Sequence, residues 1–134
     1  GGPDGGPASA DLVVPLQPLL TAPVAPERGA RLAIPRGMPL EVRWDAFDGV
    51  AHVYLAQVPL DVPFWLRYVE VECLVDGADG ELALPTEALA RFVPGEGYGA
   101  NFALGARVWE DVEVGARTLR IVAQTGRSID VVFE

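Results

Sequence analysis

Few side chains in this sequence are of the types that carry out covalent catalysis. There is one histidine, His52, and there are two serines, Ser9 and Ser128. Hydrolysis or acyl transfer requires a nucleophile, a base and a group that orients the base. Ser9 falls in a Gly/Pro-rich tail and Ser128 near the C-terminus, whereas His52 lies within an alternating segment beside Tyr54. The sequence therefore predicts a protein that is not an enzyme and has no catalytic residues.

The single cysteine, Cys73, is the other candidate nucleophile. It alternates with Val71 and Val75, a spacing that puts all three side chains on one face of a strand. A cysteine buried between valines behaves as a small hydrophobic residue, and burial raises its pKa. We expect Cys73 to be an unreactive core residue.

The tightest group of carboxylates is Asp76, Asp79 and Glu81. Calcium takes about six or more oxygen ligands from a loop that turns around the ion. The segment from Asp76 to Glu81 has suitable residue types without the full loop motif. Asp and Gly residues in such a segment also form tight turns between strands. We prefer the turn, keep calcium as the alternative, and expect no other metal or cofactor.

Aromatic residues are the best candidates for ligand binding. Phe64 and Trp65 occur in an apolar loop, and Trp109 shares one face of a predicted strand with Asn101 and Arg107. An exposed tryptophan beside polar groups can stack on a sugar ring or anchor a protein partner. Tryptophans are also frequently buried. Both interpretations stay open for Trp65 and Trp109: a covered position within the domain, or a surface that binds a glycan or a protein.

Alternation of apolar and polar residues predicts that β-strands position these side chains. Residues 40–44 are followed by Asp48-Gly49, a hairpin signal, so we expect them to pair with residues 50–58. A short helix is predicted from Thr86 to Phe92, with Thr86 as its cap. The other predicted strands are 32–34, 66–75, 100–110, 117–124 and 128–133, the last two separated by a turn at Thr125-Gly126-Arg127. The pattern predicts one all-β sandwich of seven to eight strands.

The segment before the first of these strands is rich in proline. Prolines occur at positions 15, 18, 23 and 26, and proline lacks the amide that a central strand needs, so residues 11–28 should form an edge strand or an extended arm. We assign residues 1–28 to a tether and arm, and residues 29–134 to the sandwich domain. The apolar arm residues expected to contact a surface are Leu12, Val13, Val14, Leu16, Leu19 and Leu20.

Residues 1–10 are dominated by glycine and proline and start with Gly1 rather than methionine. Such a segment is typical of the tether that follows a removed signal peptide or a lipid-carrying cysteine, although a trimmed terminus would look the same. We therefore expect an extracytoplasmic protein, either secreted or anchored at the cell surface through a lipid.

The charge balance argues against two classes of binding partner. The formal net charge is -9, and all 10 basic residues are arginines. Nucleic acids and anionic lipid surfaces both select for a basic footprint, which this chain lacks. No apolar run reaches the ~18 residues of a membrane-spanning helix. The Arg-only, Ala/Gly/Pro-rich composition is typical of high-GC bacterial genomes.

Several residues follow one another in a distinctive order: Trp44, Cys73, Asp79-Gly80, Leu84-Pro85, Leu89 and Phe92. This order resembles that of domains in predicted secreted lipoproteins of high-GC predatory soil bacteria, over about residues 40–110. The resemblance implies an immunoglobulin-like antiparallel sandwich and an extracytoplasmic location. It implies no active residue, because such domains generally have no assigned function.

Two functions are compatible with these features. The first is a structural or assembly protein whose arm adds as a donor strand to the open sheet edge of a neighbouring subunit. Such a contact is heterologous and can propagate into a filament. The alternative is a tethered monomeric module that recognises a glycan or a protein through its aromatic residues. The location of residues 11–20 distinguishes between them.

Overall fold

The computed structural model of the chain describes residues 12–61 and 68–134. These residues form eight β-strands, one short α-helix and a 3-10 turn at Gly77–Asp79. In chain order the elements are β1 (Leu20–Ala22), β2 (Leu32–Ile34), β3 (Leu40–Trp44), β4 (Val50–Pro59), β5 (Val69–Asp76), β6 (Glu81–Leu84), α1 (Thr86–Leu89), β7 (Tyr98–Val114) and β8 (Arg117–Phe133).

The strands form two sheets. One has three strands in the order β1-β3-β6, and the other has five in the order β2-β8-β7-β4-β5. The described pairings are antiparallel, except that β2 runs parallel to β8. Residues of both sheets contribute to one hydrophobic core, the arrangement of a β-sandwich. The predicted all-β sandwich with one short helix is confirmed.

Strand alternation supplies the core between the sheets. Val53 of β4 and Leu104 of β7 are cross-strand partners, and each is 1% exposed. Trp44 is also buried, and its Nε1–H donates a 2.9 Å hydrogen bond to Gly77 O. Each such apolar side chain stabilises the fold by about 1.5–3 kcal/mol. The core therefore uses one face of each sheet and leaves the other face to solvent.

The predicted hairpin between β3 and β4 is wrong, because the two strands belong to different sheets. Residues 45–49 cross from one sheet to the other. Their backbone bonds to other segments on the way: Asp45 N–H donates to Leu19 O at 3.0 Å, and Phe47 N–H donates to Gly77 O at 3.2 Å. A five-residue link bonded in this way does not form the short turn that a two-stranded hairpin needs.

The turn predicted at Thr125-Gly126-Arg127 is also wrong, because β8 is one continuous strand. Gly126 pairs with Gly105 inside the β7–β8 ladder. A Cβ atom on Gly105 would overlap Thr125 O, whereas one on Gly126 would meet nothing within 4 Å. Gly105 thus allows the two backbones to approach closely, a role of glycine in strands that does not involve a turn.

The helix is shorter than predicted. α1 ends at Leu89, and turns carry the chain on to Phe92. Pro85 occupies the N-cap position, and Thr86 Oγ1 bonds Glu87 Oε2 rather than a backbone amide, so the predicted cap is wrong. Leu89 and Phe92 are both buried and close one end of the core.

The predicted boundary between arm and sandwich needs correction. β1 lies inside residues 1–28 and pairs with β3, with Leu20 opposite Trp44. Pro18 and Pro23 flank this three-residue strand, which explains why it is short and lies at a sheet edge. The sandwich therefore begins ahead of residue 28, at β1.

Candidate functional site

The β7–β8 hairpin continues beyond the sandwich as a two-stranded ribbon. β4 pairs with β7 only as far as Val50↔Arg107, whereas β7 and β8 stay paired from Val108↔Ala123 to Val114↔Arg117. We call residues 108–123 the ribbon. Its seven residue pairs span about 23 Å at ~3.3 Å per residue. Of the strands in the described residues, only β7 and β8 contribute to it.

Polar pairs on the outer face fix the register of the ribbon. Arg120 makes two hydrogen bonds to Asp111, at 2.8 and 3.0 Å, and these lower the pKa of the Asp111 carboxyl. Thr118 Oγ1 donates to Glu113 Oε1 at 2.8 Å. The Arg120 guanidinium also lies 5.6 Å from the centre of the Trp109 ring, within cation–π range. Trp109 has the facing that the alternation predicts, and it is 39% exposed.

The inner face of the ribbon continues the core-facing side of the five-stranded sheet. Leu119, Val114 and Ile121 are 50%, 48% and 36% exposed, so the three-stranded sheet does not cover them. Glu110 and Arg117 are the charged residues of this face. Its aliphatic residues are Val108, Val112, Val114, Leu119, Ile121 and Ala123.

This exposure has a physical consequence. A two-stranded ribbon without a packing partner is marginally stable in water, and a contiguous apolar patch on a soluble protein typically marks an interaction site. The inner face of the ribbon is therefore the strongest candidate contact surface among the described residues.

The arm lies partly on its own domain. Gln17 Nε2 donates to Leu104 O at 2.8 Å, Pro18 is buried, and Leu20 packs against the core. Thr125 Oγ1 donates to Leu16 O at 3.4 Å, which places Leu16 beside the base of the ribbon.

The apolar arm residues ahead of β1 differ in exposure. Val13, Val14, Leu16 and Leu19 are 80%, 61%, 89% and 61% exposed, whereas Leu12 is half-buried. The arm thus presents uncovered apolar side chains close to an uncovered apolar face.

A shallow polar depression of about 460 Å³ lies on the outer face of the five-stranded sheet. Arg107 connects its walls: Nε donates to Gln124 Oε1 at 3.0 Å, Nη1 to Glu72 Oε1 at 3.3 Å, and Nη2 to His52 Nε2 at 3.2 Å. The His52 and Tyr54 rings stack with centroids 5.9 Å apart. The depression thus combines an aromatic wall with hydrogen-bonding groups.

The titratable groups of the depression respond to its partial burial. Burial and the Arg107 charge lower the pKa of His52, against the opposing effect of Glu72. Burial and the hydrogen bond to Glu70 raise the pKa of Tyr54 to about 12. His52 is therefore neutral near pH 7, consistent with accepting a hydrogen bond from Arg107.

The residues predicted from sequence are distributed as follows. Cys73 packs against the core, and burial raises the pKa of its thiol. The Asp76 carboxylate accepts a 3.0 Å hydrogen bond from Ala78 N–H as the cap of the 3-10 turn. Over residues 12–61 and 68–134, Asp76, Asp79 and Glu81 do not form a metal-binding cluster, and neither do other His, Cys, Asp or Glu residues. Phe64 and Trp65 lie outside the described residues.

Sequence reasoning did not identify the ribbon or the polar depression. The signal for the ribbon was available in the alternation of apolar with polar residues on both sides of the Gly115 turn. Val112 and Val114 alternate with Asp111 and Glu113 before it, and Leu119 and Ile121 alternate with Thr118 and Arg120 after it. What the pattern does not indicate is that this face lacks a covering sheet.

Within the described residues, none of the helical structure is long and apolar enough to cross a membrane. Comparison of the chain with protein-family models, with characterised proteins and with solved structures finds no match.

Proposed function

We propose that the chain is a non-catalytic structural or assembly domain that contacts neighbouring protein subunits outside the cytoplasm. The observation that carries the proposal is the uncovered inner face of the ribbon, where Leu119, Val114 and Ile121 are 50%, 48% and 36% exposed. Burying such a face against another protein would contribute about 25 cal/mol for each Å² of apolar surface removed from water. It would also stabilise a ribbon that is marginal by itself.

The arm is the second contact in this proposal. Residues 20–22 already serve as β1, so the part of the arm available as a donor strand is residues 12–16. β5 is the last strand of its sheet, and in the described part of the chain it pairs only with β4. Its free edge is suited to receive an extended segment from a neighbour. Repetition of that contact would build a filament.

Light scattering on three variants tests the proposal. The first lacks residues 1–16, a cut that keeps the Gln17 and Pro18 contacts. The second carries Leu119→Thr and Ile121→Thr on the inner face of the ribbon. The third, a control, carries Val122→Thr on the outer face. We expect the full chain and the control to associate, and at least one of the other two variants to form assemblies of lower mass. A monomer in every case, or unchanged association in every case, would contradict the proposal.

The extracytoplasmic location is part of the proposal and is supported by the Gly/Pro-rich segment at residues 1–10. Protease treatment of intact cells producing the natural protein tests this location. Cleavage without lysis is the expected result, whereas protection until lysis would place the domain inside the cell.

A second candidate function is recognition of a glycan or a protein by the depression on the outer face. The support is the combination of the Tyr54 and His52 rings with Arg107, Gln124 and Ser128 around one concave surface. Aromatic stacking combined with a few polar groups is typical of ligand sites. A glycan array probed with the full chain and with the Tyr54→Ala variant tests this function. Binding by the full chain that is lost in the variant would support it. The absence of binding by either protein would contradict glycan recognition.

A further inference from the structure

We infer that the partner of the ribbon is a second copy of this chain, with the two inner faces packed against each other in antiparallel orientation. This inference rests on the proposed function and specifies its partner. The two-fold axis would lie in the plane between the ribbons, at the level of the Val112↔Leu119 pair.

The face is suited to packing against itself. A two-fold contact requires a surface that is complementary to its own copy. Six aliphatic residues on two paired strands form a narrow apolar surface, and sheets pack face to face at a spacing of ~10 Å through such surfaces. The copy supplies an apolar surface of equal length and width.

The two charges on the inner face select the orientation. Glu110 pairs with Ile121, two positions from the Val112 level toward the sandwich, and Arg117 pairs with Val114, two positions toward the tip. An antiparallel copy reverses these positions, so Glu110 of one chain faces the level of Arg117 in the other. Two ion pairs then form, one on each side of the axis.

A parallel copy would not produce these pairs. Glu110 would face the level of Ile121, and Arg117 the level of Val114, so each charge would lie against aliphatic side chains. Burial of an unpaired charge is unfavourable. Within one chain the two charged residues are four positions apart, about 13 Å along the ribbon, and the ion pairs among the described residues do not involve either of them.

The area of the face sets the expected strength. Each ribbon face is about 23 Å long and two strands wide, well below the ~800 Å² per partner of a typical stable interface. The dimer should therefore be weak and dependent on concentration. The exposed arm residues beside Thr125 lie near the position of the partner's tip and would add apolar area.

Sedimentation velocity from micromolar to millimolar concentration tests the inference, using Glu110→Arg, Arg117→Glu and the double variant. Asp130→Arg is the matched control, because it makes the same charge change at an exposed position on the outer face of β8, outside the ribbon. We expect wild type and control to dimerise as concentration rises. Each single reversal should weaken dimerisation by about tenfold or more, because like charges then face each other. The double variant should recover most of the lost affinity. Equal thermal midpoints verify that the variants are folded.

Three outcomes would contradict the inference. If both single variants associate like wild type while removal of residues 1–16 abolishes association, the ribbon pairing is wrong and the assembly function remains. If wild type stays monomeric throughout, both the ribbon pairing and assembly between identical chains are wrong. If dimerisation is lost in both single variants and is not recovered in the double variant, the antiparallel orientation is wrong.

Discussion

Gly105→Ala should strongly destabilise the fold, whereas Gly126→Ala should not, although the two glycines face each other in one ladder. A Cβ on Gly105 would overlap Thr125 O and would lie 2.9 Å from Thr125 C and 3.0 Å from Gly126 Cα. These are backbone atoms, so relief requires β7 and β8 to move apart. Overpacking of this kind typically lowers the free energy of unfolding by about 1–3 kcal/mol, and a clash with backbone atoms belongs at the upper end of that range. Gly126 has open space, and alanine there should stabilise the strand by about 0.5–1 kcal/mol.

Urea unfolding followed by tryptophan fluorescence measures both effects. With a slope of about 2 kcal/mol per M, a loss of ~3 kcal/mol lowers the midpoint by about 1.5 M, and the gain at Gly126 raises it by about 0.3–0.5 M. Equal midpoints for the two variants would refute the interpretation of Gly105 as the point of close approach between the strands that form the ribbon.

Three further predictions concern individual side chains. Because the His52 pKa is lowered by burial and Arg107, the unfolded state takes up a proton near pH 6.5 that the folded state does not. Stability is then fully present above this pH and falls below it, so His52→Gln should lose less thermal stability than wild type between pH 7 and 5; equal losses would contradict this. Cys73 should react with a thiol reagent at pH 8 at least about tenfold more slowly than free cysteine, and fast reaction of the folded chain would show that the thiol is accessible. Gln57→Leu should cost about 2 kcal/mol in urea unfolding, because the buried Gln57 amide makes 2.7 and 2.8 Å hydrogen bonds to the Val93 backbone; an unchanged midpoint would mean that the Val93 groups find other partners.

The local alternation of apolar and polar residues is sufficient to predict much of the fold. Alternation over residues 40–44 predicts β3 with its bounds, and it gives the correct facing of Trp109 relative to Phe102 and Leu104. Such patterns depend only on the two-residue period of a strand. The pairing of β3 was not predictable in this way, because Asp48-Gly49 suits both a hairpin turn and a crossing between sheets.

The candidate sites depend on features that a local pattern does not contain. Val114 and Leu119 have the same sequence signature as covered strand residues, and their exposure depends on where the opposite sheet ends. Arg107, His52, Glu72 and Gln124 come from four strands, so register alone brings them together. Similarly, Thr125-Gly126-Arg127 has the residue types of a turn, and only the pairing of Gly126 with Gly105 shows that β8 continues through it.

A contact between protein chains at the inner face of the ribbon would shield the amides of residues 108–123 from solvent. Amide hydrogen exchange measured at low and high protein concentration tests it directly. Protection of residues 108–123 should rise with concentration, while that of residues 51–55 in β4, which is paired on both sides, should stay constant. Ribbon exchange that is equally fast at all concentrations would contradict it.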